Sequence, residues 1–197
     1  MPDSAFNPAP RDFYNRSTLR VARELIGLHL VLLHRGRRLI GRIVETEAYQ
    51  GPEDRAAHSA RGQTPRNAVM FGPPGHAYVY LIYGMWHCVN VVTRAVGTPH
   101  AVLIRAVEPI ANIQGKSHGP GLLCKSMHID RRLNGVDLCG DMLWIEQPER
   151  TARVNIARAP RIGVDYAGSW AAKPWRFLDR DSPYVSTASA ALRRKRI

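Results

Sequence analysis

The chain has 197 residues, the length of one ordinary domain, and at that size roughly 70% of the unfolded surface can be buried without a metal or disulfide staple. With 45% hydrophobic and 22% charged residues the composition is globular and excludes a disordered chain. Lys+Arg 28 against Asp+Glu 16 leave a net charge of +12, which favours an anionic partner, nucleic acid first. Lysine is confined to Lys116, Lys125, Lys173 and Lys195, so the excess is arginine, whose fork grips phosphate bidentately. A G+C-rich genome produces the same skew, so charge alone does not name the partner.

In chain order, residues 1–16 lead into the fold, the first eleven as an N-terminal arm. Ser17 is placed to cap a helix through Leu19, Ala22, Leu25 and Ile26, with Gly27 as its stop. Leu28–Leu33 is a short bounded apolar run and predicts a buried strand. Arg35-Gly36-Arg37 predicts a turn and Leu39–Tyr49 the second strand of a hairpin. A long loop opens at Gly51-Pro52-Glu53-Asp54 and runs to Pro74-Gly75; loops of that length are usually functional or disordered. His76–Ile82 and Trp86–Thr93 predict paired strands, and Ala101–Val107 a further one. Gly119-Pro120-Gly121 precedes a helix over Leu122–Met127. Asp141–Glu146 and Ile162-Gly163-Val164 are weaker strand candidates. Residues 188–197 form a basic C-terminal tail. With no repeat and no dividing linker, the chain 1–197 predicts one α+β domain, a sheet of hairpins with flanking helices.

No run of about 18 apolar residues is present, so no helix is expected to span a membrane. Met1–Pro10 lacks the apolar core of a signal peptide. Cys88, Cys124 and Cys139 are widely spaced with no C-x-x-C, which points to reduced thiols and indicates neither a zinc site nor a redox pair.

Three features carry chemistry. On a regular strand Ile43, Glu45, Glu47 and Tyr49 share one face, and carboxylates two residues apart lie about 7 Å from each other, close enough to interact. The alternative is a charged edge strand, and parity does not say which glutamate would work. In Tyr78-Val79-Tyr80-Leu81-Ile82-Tyr83-Gly84, Tyr78 and Tyr80 share a face, and Gly84 suggests a turn that exposes Tyr83 at a hairpin tip. Such an aromatic can wedge into a base stack; the alternative is an aromatic core strand. Asn90 and Arg105 interrupt apolar strands. A buried arginine needs an anion, for which Glu45 and Glu47 both qualify, while Asn90 also reads as a satisfied core amide and His58 as a surface loop histidine.

Taken together, these segments resemble the alkyladenine (3-methyladenine, methylpurine) DNA glycosylases. The resemblance rests on Val44-Glu45-Thr46-Glu47-Ala48-Tyr49, Gly51-Pro52-Glu53-Asp54, Ala57-His58-Ser59, Thr64-Pro65-Arg66-Asn67 and Tyr78 to Met85. It continues through Leu103 to Pro109, Gly119-Pro120-Gly121, Arg161-Ile162-Gly163-Val164, Lys173 to Phe177 and Ser182 to Ser186. It implies a curved antiparallel sheet with a protruding β-hairpin. It also implies a monofunctional enzyme of base excision repair that flips alkylated or deaminated purines from double-stranded DNA and hydrolyses the N-glycosidic bond, leaving an abasic site. Carried over by position, Glu47 is the general base, and Arg105 with the Val185 carbonyl holds the water. Tyr49 and Tyr80 sandwich the base, His58 meets its edge, Asn90 excludes guanine and Tyr83 intercalates. The resemblance implies no cofactor, no metal, no membrane partner and no Schiff base, in a monomer of the cytoplasm or bacterial nucleoid, or of the nucleus in a eukaryote, that is not secreted. Leu122 stands where these enzymes usually carry a lysine. A glycoside hydrolase would also use two carboxylates, but +12 suits a neutral sugar poorly. A basic non-catalytic nucleic-acid-binding module remains a rival, whereas the H-x-E and P-C-x-x-C signature of a zinc deaminase is absent.

Overall fold

Apolar strands, two pairs of them joined by tight turns, fold into one antiparallel sheet of eight strands among the described residues. The computed structural model describes residues 6–148 and 153–186; the basic tail 188–197 and the first five residues of the arm lie outside them. The strands are β1 (His29–His34), β2 (Arg37–Gln50), β3 (Ala77–Ile82), β4 (Trp86–Thr93), β5 (His100–Ala111), β6 (Leu143–Glu146), β7 (Ile156–Ala159) and β8 (Arg176–Asp179). The helices are α1 (Arg11–Tyr14), α2 (Thr18–Glu24) and α3 (Pro120–Ser126). The sheet runs β3-β4-β5-β2-β1-β6, with β8 added to β2 and β7 to β8. The sheet curls into a half-barrel with a few helices, an α+β fold.

The 14-residue β2 is the axis of the sheet. Along one edge it pairs β5 from Ile40 to Gln50; along the other it pairs β1 up to Arg42 and then β8 from Glu45 to Glu47. The edge-strand reading of Glu45 and Glu47 is therefore wrong: the stretch that carries them is paired on both sides. Where the partner changes, the register against β5 shifts between Ile43 and Glu45 and again between Glu45 and Thr46. Such irregularities bend a strand and sharpen its twist.

The main core lies between the sheet and the helices. Val21, Ala22 and Leu25 share this core with Leu30, Ile43 and Ile104, as do Leu123 and Cys124 of α3 and the following Met127 with Val89 and Val91. α2 ends at Glu24, earlier than the apolar spacing predicts, yet Leu25 and Ile26 stay buried beyond it. The lead-in is not free throughout: Tyr14 is fully buried, and Ala9 N–H donates to the Ile145 carbonyl. The long loop is ordered around two 3₁₀ turns, His58–Arg61 and Ala68–Phe71. Ile162–Val164 is a bend and not a strand, with Gly163 at φ +74.

β3 and β4 form the protruding hairpin. Ile82 pairs Trp86, Met85 N–H donates to the Ile82 carbonyl, and Tyr83 and Gly84 have φ +53 and +69. Two successive positive φ values make a type I′ turn, whose twist matches that of the strands. Tyr83 at its tip is 84% exposed, while Tyr78 is buried. The aromatic run thus divides into a core half and an exposed tip.

Candidate active site

The register shifts in β2 decide which side chains enter the site. Ile43 does not share a face with the glutamates, as regular alternation would require; it belongs to the main core. Past the irregularity Glu45, Glu47 and Tyr49 converge on the other side, both carboxylates fully buried. Arg105 from β5 lies between them, its Nη1 3.2 Å from Glu47 Oε2 and its Nε 3.4 Å from Glu45 Oε1. The buried arginine therefore meets both candidate anions.

The two glutamates have different surroundings. Glu45 Oε1 accepts from Arg176 Nη1 at 2.9 Å and from Ser186 Oγ at 3.1 Å, and its Oε2 from Ser186 N–H at 2.8 Å. Burial alone would raise the Glu45 carboxyl, but Arg105, Ser186 and Arg176 outweigh it and hold the group below its ordinary range. Glu47 Oε2 accepts from Tyr49 Oη at 2.8 Å and from Arg105 Nη1, and its Oε1 from Ile162 N–H at 2.8 Å. Burial lowers the Arg105 guanidinium, yet Glu47 and then Glu45 more than compensate, so it is firmly charged.

In front of Glu47 a pocket of about 210 Å³ opens, below the ~300–1,000 Å³ of drug-sized ligand sites. Tyr49, His58, Tyr80, Asn90 and Arg105 all line it, with Tyr83 among the lining residues at the hairpin tip. The pocket separates two apolar clusters: Tyr49 packs with Ala56, Val164 and Ala167, and Tyr80 with Met70, Tyr78 and Ala101. Burial, then Glu47, pushes the Tyr49 phenol well up; burial does the same to Tyr80. Both rings are neutral stacking surfaces. His58 is exposed, as a loop histidine was expected to be, yet its ring is engaged at the pocket wall. Its Nδ1 is 2.9 Å from Tyr78 Oη, its ring meets Tyr80 edge-on at 4.5 Å, and burial followed by Arg66 holds it below its ordinary pKa. Asn90 serves on both counts: Nδ2 donates to the Tyr78 carbonyl at 2.9 Å, and the residue borders the pocket.

Glu47 itself does not line the pocket. It stands behind Tyr49 and Arg105, which both line it and both bond to the carboxylate. Val185 lies further off, packed with Val44, Ala106 and Leu178 beside the Ser186 that holds Glu45. Sequence reasoning missed Ile162, whose amide orients Glu47, and the Asp54–Arg161 pair behind Tyr49. Arg161 Nη1 and Nη2 donate to Asp54 Oδ2 and Oδ1 at 2.5 and 2.9 Å, with both side chains fully buried. The signal was there in part, since Asp54 and Arg161-Ile162 sit in segments already singled out, but nothing local joins positions 107 apart.

A neutral aromatic slot with an arginine-held carboxylate behind it, in so basic a chain, suits an enzyme that acts on nucleic acid one base at a time. Residues 12–183 match the methylpurine-DNA glycosylase family model. Relatives with 3-methyladenine DNA glycosylase in their names align almost end to end. One from Anaeromyxobacter dehalogenans is 54% identical over 90% of this chain and 84% of its own length. One from Legionella pneumophila is 53% identical over 90% and 97%, and one from Myxococcus xanthus is 52% identical over 96% and 98%. The chain belongs to the methylpurine-DNA glycosylase family, and is a hydrolase of N-glycosyl bonds.

Proposed function

We propose that this enzyme, acting as a single domain and a monomer, removes alkylated and deaminated purines from duplex DNA by flipping the damaged nucleotide into the aromatic pocket. The observation that carries the choice of base is that Glu47 bonds to three residues of the pocket wall, Tyr49, Arg105 and Ile162, whereas Glu45 meets the wall only through its ion pair with Arg105. Tyr49 and Tyr80 stack on the extruded base, which is worth roughly 1–3 kcal/mol per stacked base. Extrusion costs a few kcal/mol, least for weakly paired lesions. The terms are of similar size, so damaged bases enter and normal ones mostly do not. A methylated purine is cationic, and tyrosine faces attract cations.

The reaction breaks the bond from C1′ to the purine nitrogen, and the electron pair leaves with the base. The sugar becomes oxocarbenium-like, and the Glu47 carboxylate stabilises that charge. Water attacks C1′ and Glu47 takes its proton, leaving an abasic site. Arg105 and the Val185 carbonyl hold that water, His58 reads the base edge, and Asn90 crowds the exocyclic amine of guanine. Among the described residues the pocket wall carries tyrosines, His58, Asn90 and Arg105, and the reading is hydrolysis without a Schiff base. Release of free methylated purine from alkylated duplex DNA tests the proposal. An enzyme that releases no base, or that nicks the strand through a borohydride-trappable intermediate, would overturn it.

A further inference from the structure

Beside the pocket lies a groove that this chemistry does not use. It encloses about 1020 Å³ between the β1–β2 turn, the start of β4 and the end of α3. Its charge is one-sided: Arg35, Arg37, Lys125 and Arg132 line it against Asp130 alone. Asp130 is held by Arg132 at 2.7 Å, whereas Arg35, Arg37 and Lys125 have no ion-pair partner among the described residues. His34 and His128 stack in the same groove at 4.5 Å with 5° between their planes. Partial desolvation, then His128, Arg35 and Arg132, holds His34 below its ordinary pKa.

The groove and the pocket flank one ridge. Tyr83 and Pro120 line the pocket, Met85 and Gly121 the groove. The ridge is therefore the hairpin tip backed by the first turn of α3. Gly121 allows that contact, because a Cβ there would lie 2.9 Å from the Trp86 ring. A duplex opened by Tyr83 straddles the ridge. It carries about one charge per 1.7 Å of axis, so the DNA on one side of the wedge faces the unpaired cations.

We infer that this groove is a second DNA-binding surface, which holds the phosphate backbone to one side of the flipped nucleotide through Arg35, Arg37 and Lys125. The inference rests on the DNA reading above. The test compares wild type with the Arg35→Gln/Arg37→Gln/Lys125→Gln variant in anisotropy titrations of undamaged duplex over a salt series. Each phosphate contact contributes about 0.9 to the slope of log K against log salt. The variant is expected to lose about 2–3 from that slope while melting within about 2 °C of wild type. On lesion duplexes shortened on one flank, wild type should lose affinity when one particular flank is removed, and the variant should not. An unchanged slope, or equal response to loss of either flank, would make the groove a solvated basic face and overturn the inference. Base release by wild type on the same duplexes upholds the DNA reading whatever the groove does.

Discussion

Arg161 holds its guanidinium 4.7 Å from the centre of the Tyr49 ring, and the next residue donates its N–H to Glu47. Asp54 grips Arg161 with both oxygens, and Arg161 Nη1 also reaches the Ala48 carbonyl at 2.9 Å. One buried ion pair thus backs the ring that walls the pocket and fixes the amide that aims the carboxylate. Buried pairs add little net stability over apolar replacements; what this one supplies is geometry.

Replacing Arg161 alone by Met leaves Asp54 buried and unpaired, and should cost about 3–5 kcal/mol of stability. The double variant Arg161→Met/Asp54→Leu should recover most of that in urea denaturation, since the two sites are coupled. Base release should stay well below wild type in the double variant, because Tyr49 and the Ile162 amide have lost their support. A stable double variant with wild-type activity would reduce the pair to packing.

Glu47→Gln should keep lesion binding but lose roughly 10²–10⁴ in base release, the usual size of a general-base effect. Glu45→Gln should lose far less in single-turnover rate, since its carboxylate reaches the pocket wall only through Arg105 and is otherwise held by Arg176 and Ser186. Equal rates for the two variants, or a greater loss at Glu45, would move the base to the other glutamate.

Glu45 should appear in acid stability instead. Its folded pKa lies below its ordinary value, so the unfolded chain binds the proton more readily. The stabilisation is therefore present above the unfolded value of about 4.3 and is lost as pH falls through that value towards the lower folded one. The stability gap between wild type and Glu45→Gln should be constant from pH 6 to 8 and close below about pH 4.3. A gap that persists unchanged at pH 3 would show that the charge of Glu45 contributes nothing.

The same glutamate shows where the sequence was legible and where it was not. β1 to β6 and α3 were readable because each is an apolar run bounded by turn residues. β7 and β8 were not: Arg176 and Asp179 are buried at the ends of a four-residue strand. They can be, because they pair with Glu45 and Arg42, positions 131 and 137 away in sequence. A charge neutralised from that distance leaves no local pattern. Ile43 was assigned to the wrong face for a related reason, since the register shift arises where β1 gives way to β8. The pocket residues, and the choice of Glu47 over Glu45 as the base, came from resemblance; what the sequence did not show is that Ile162 holds one carboxylate and Ser186 the other.

Asn90 and Leu103 pair across β4 and β5 at the pocket. Asn90→Ser shortens the side chain and removes the bond to the Tyr78 carbonyl. If Asn90 excludes the guanine amine, excision of normal guanine relative to alkyladenine should rise by about 10- to 200-fold, the discrimination available from a small change of pocket shape. Base release from undamaged and alkylated duplexes measures the ratio. An unchanged ratio would leave Asn90 as a tether between β3 and β4.

Tyr83 is held where a tyrosine is uncomfortable. At φ +53 an L side chain costs about 1–2 kcal/mol, and the ring gains nothing back by burial, being 84% exposed. Glycine would relieve the strain at an entropic cost of about 0.5–1 kcal/mol, so Tyr83→Gly should melt at or slightly above the wild-type temperature. If the ring is a wedge, the same variant forfeits stacking worth about 1–3 kcal/mol in the flipped complex. Excision of a lesion in a paired duplex should then fall by about ten- to a hundred-fold. A mispaired lesion, already partly unstacked, should lose less. A core residue would behave in the opposite way, losing stability and slowing on every substrate alike. Thermal unfolding together with excision rates on paired and mispaired lesions separates the two, and a lower melting point with uniform loss would remove the wedge from the mechanism.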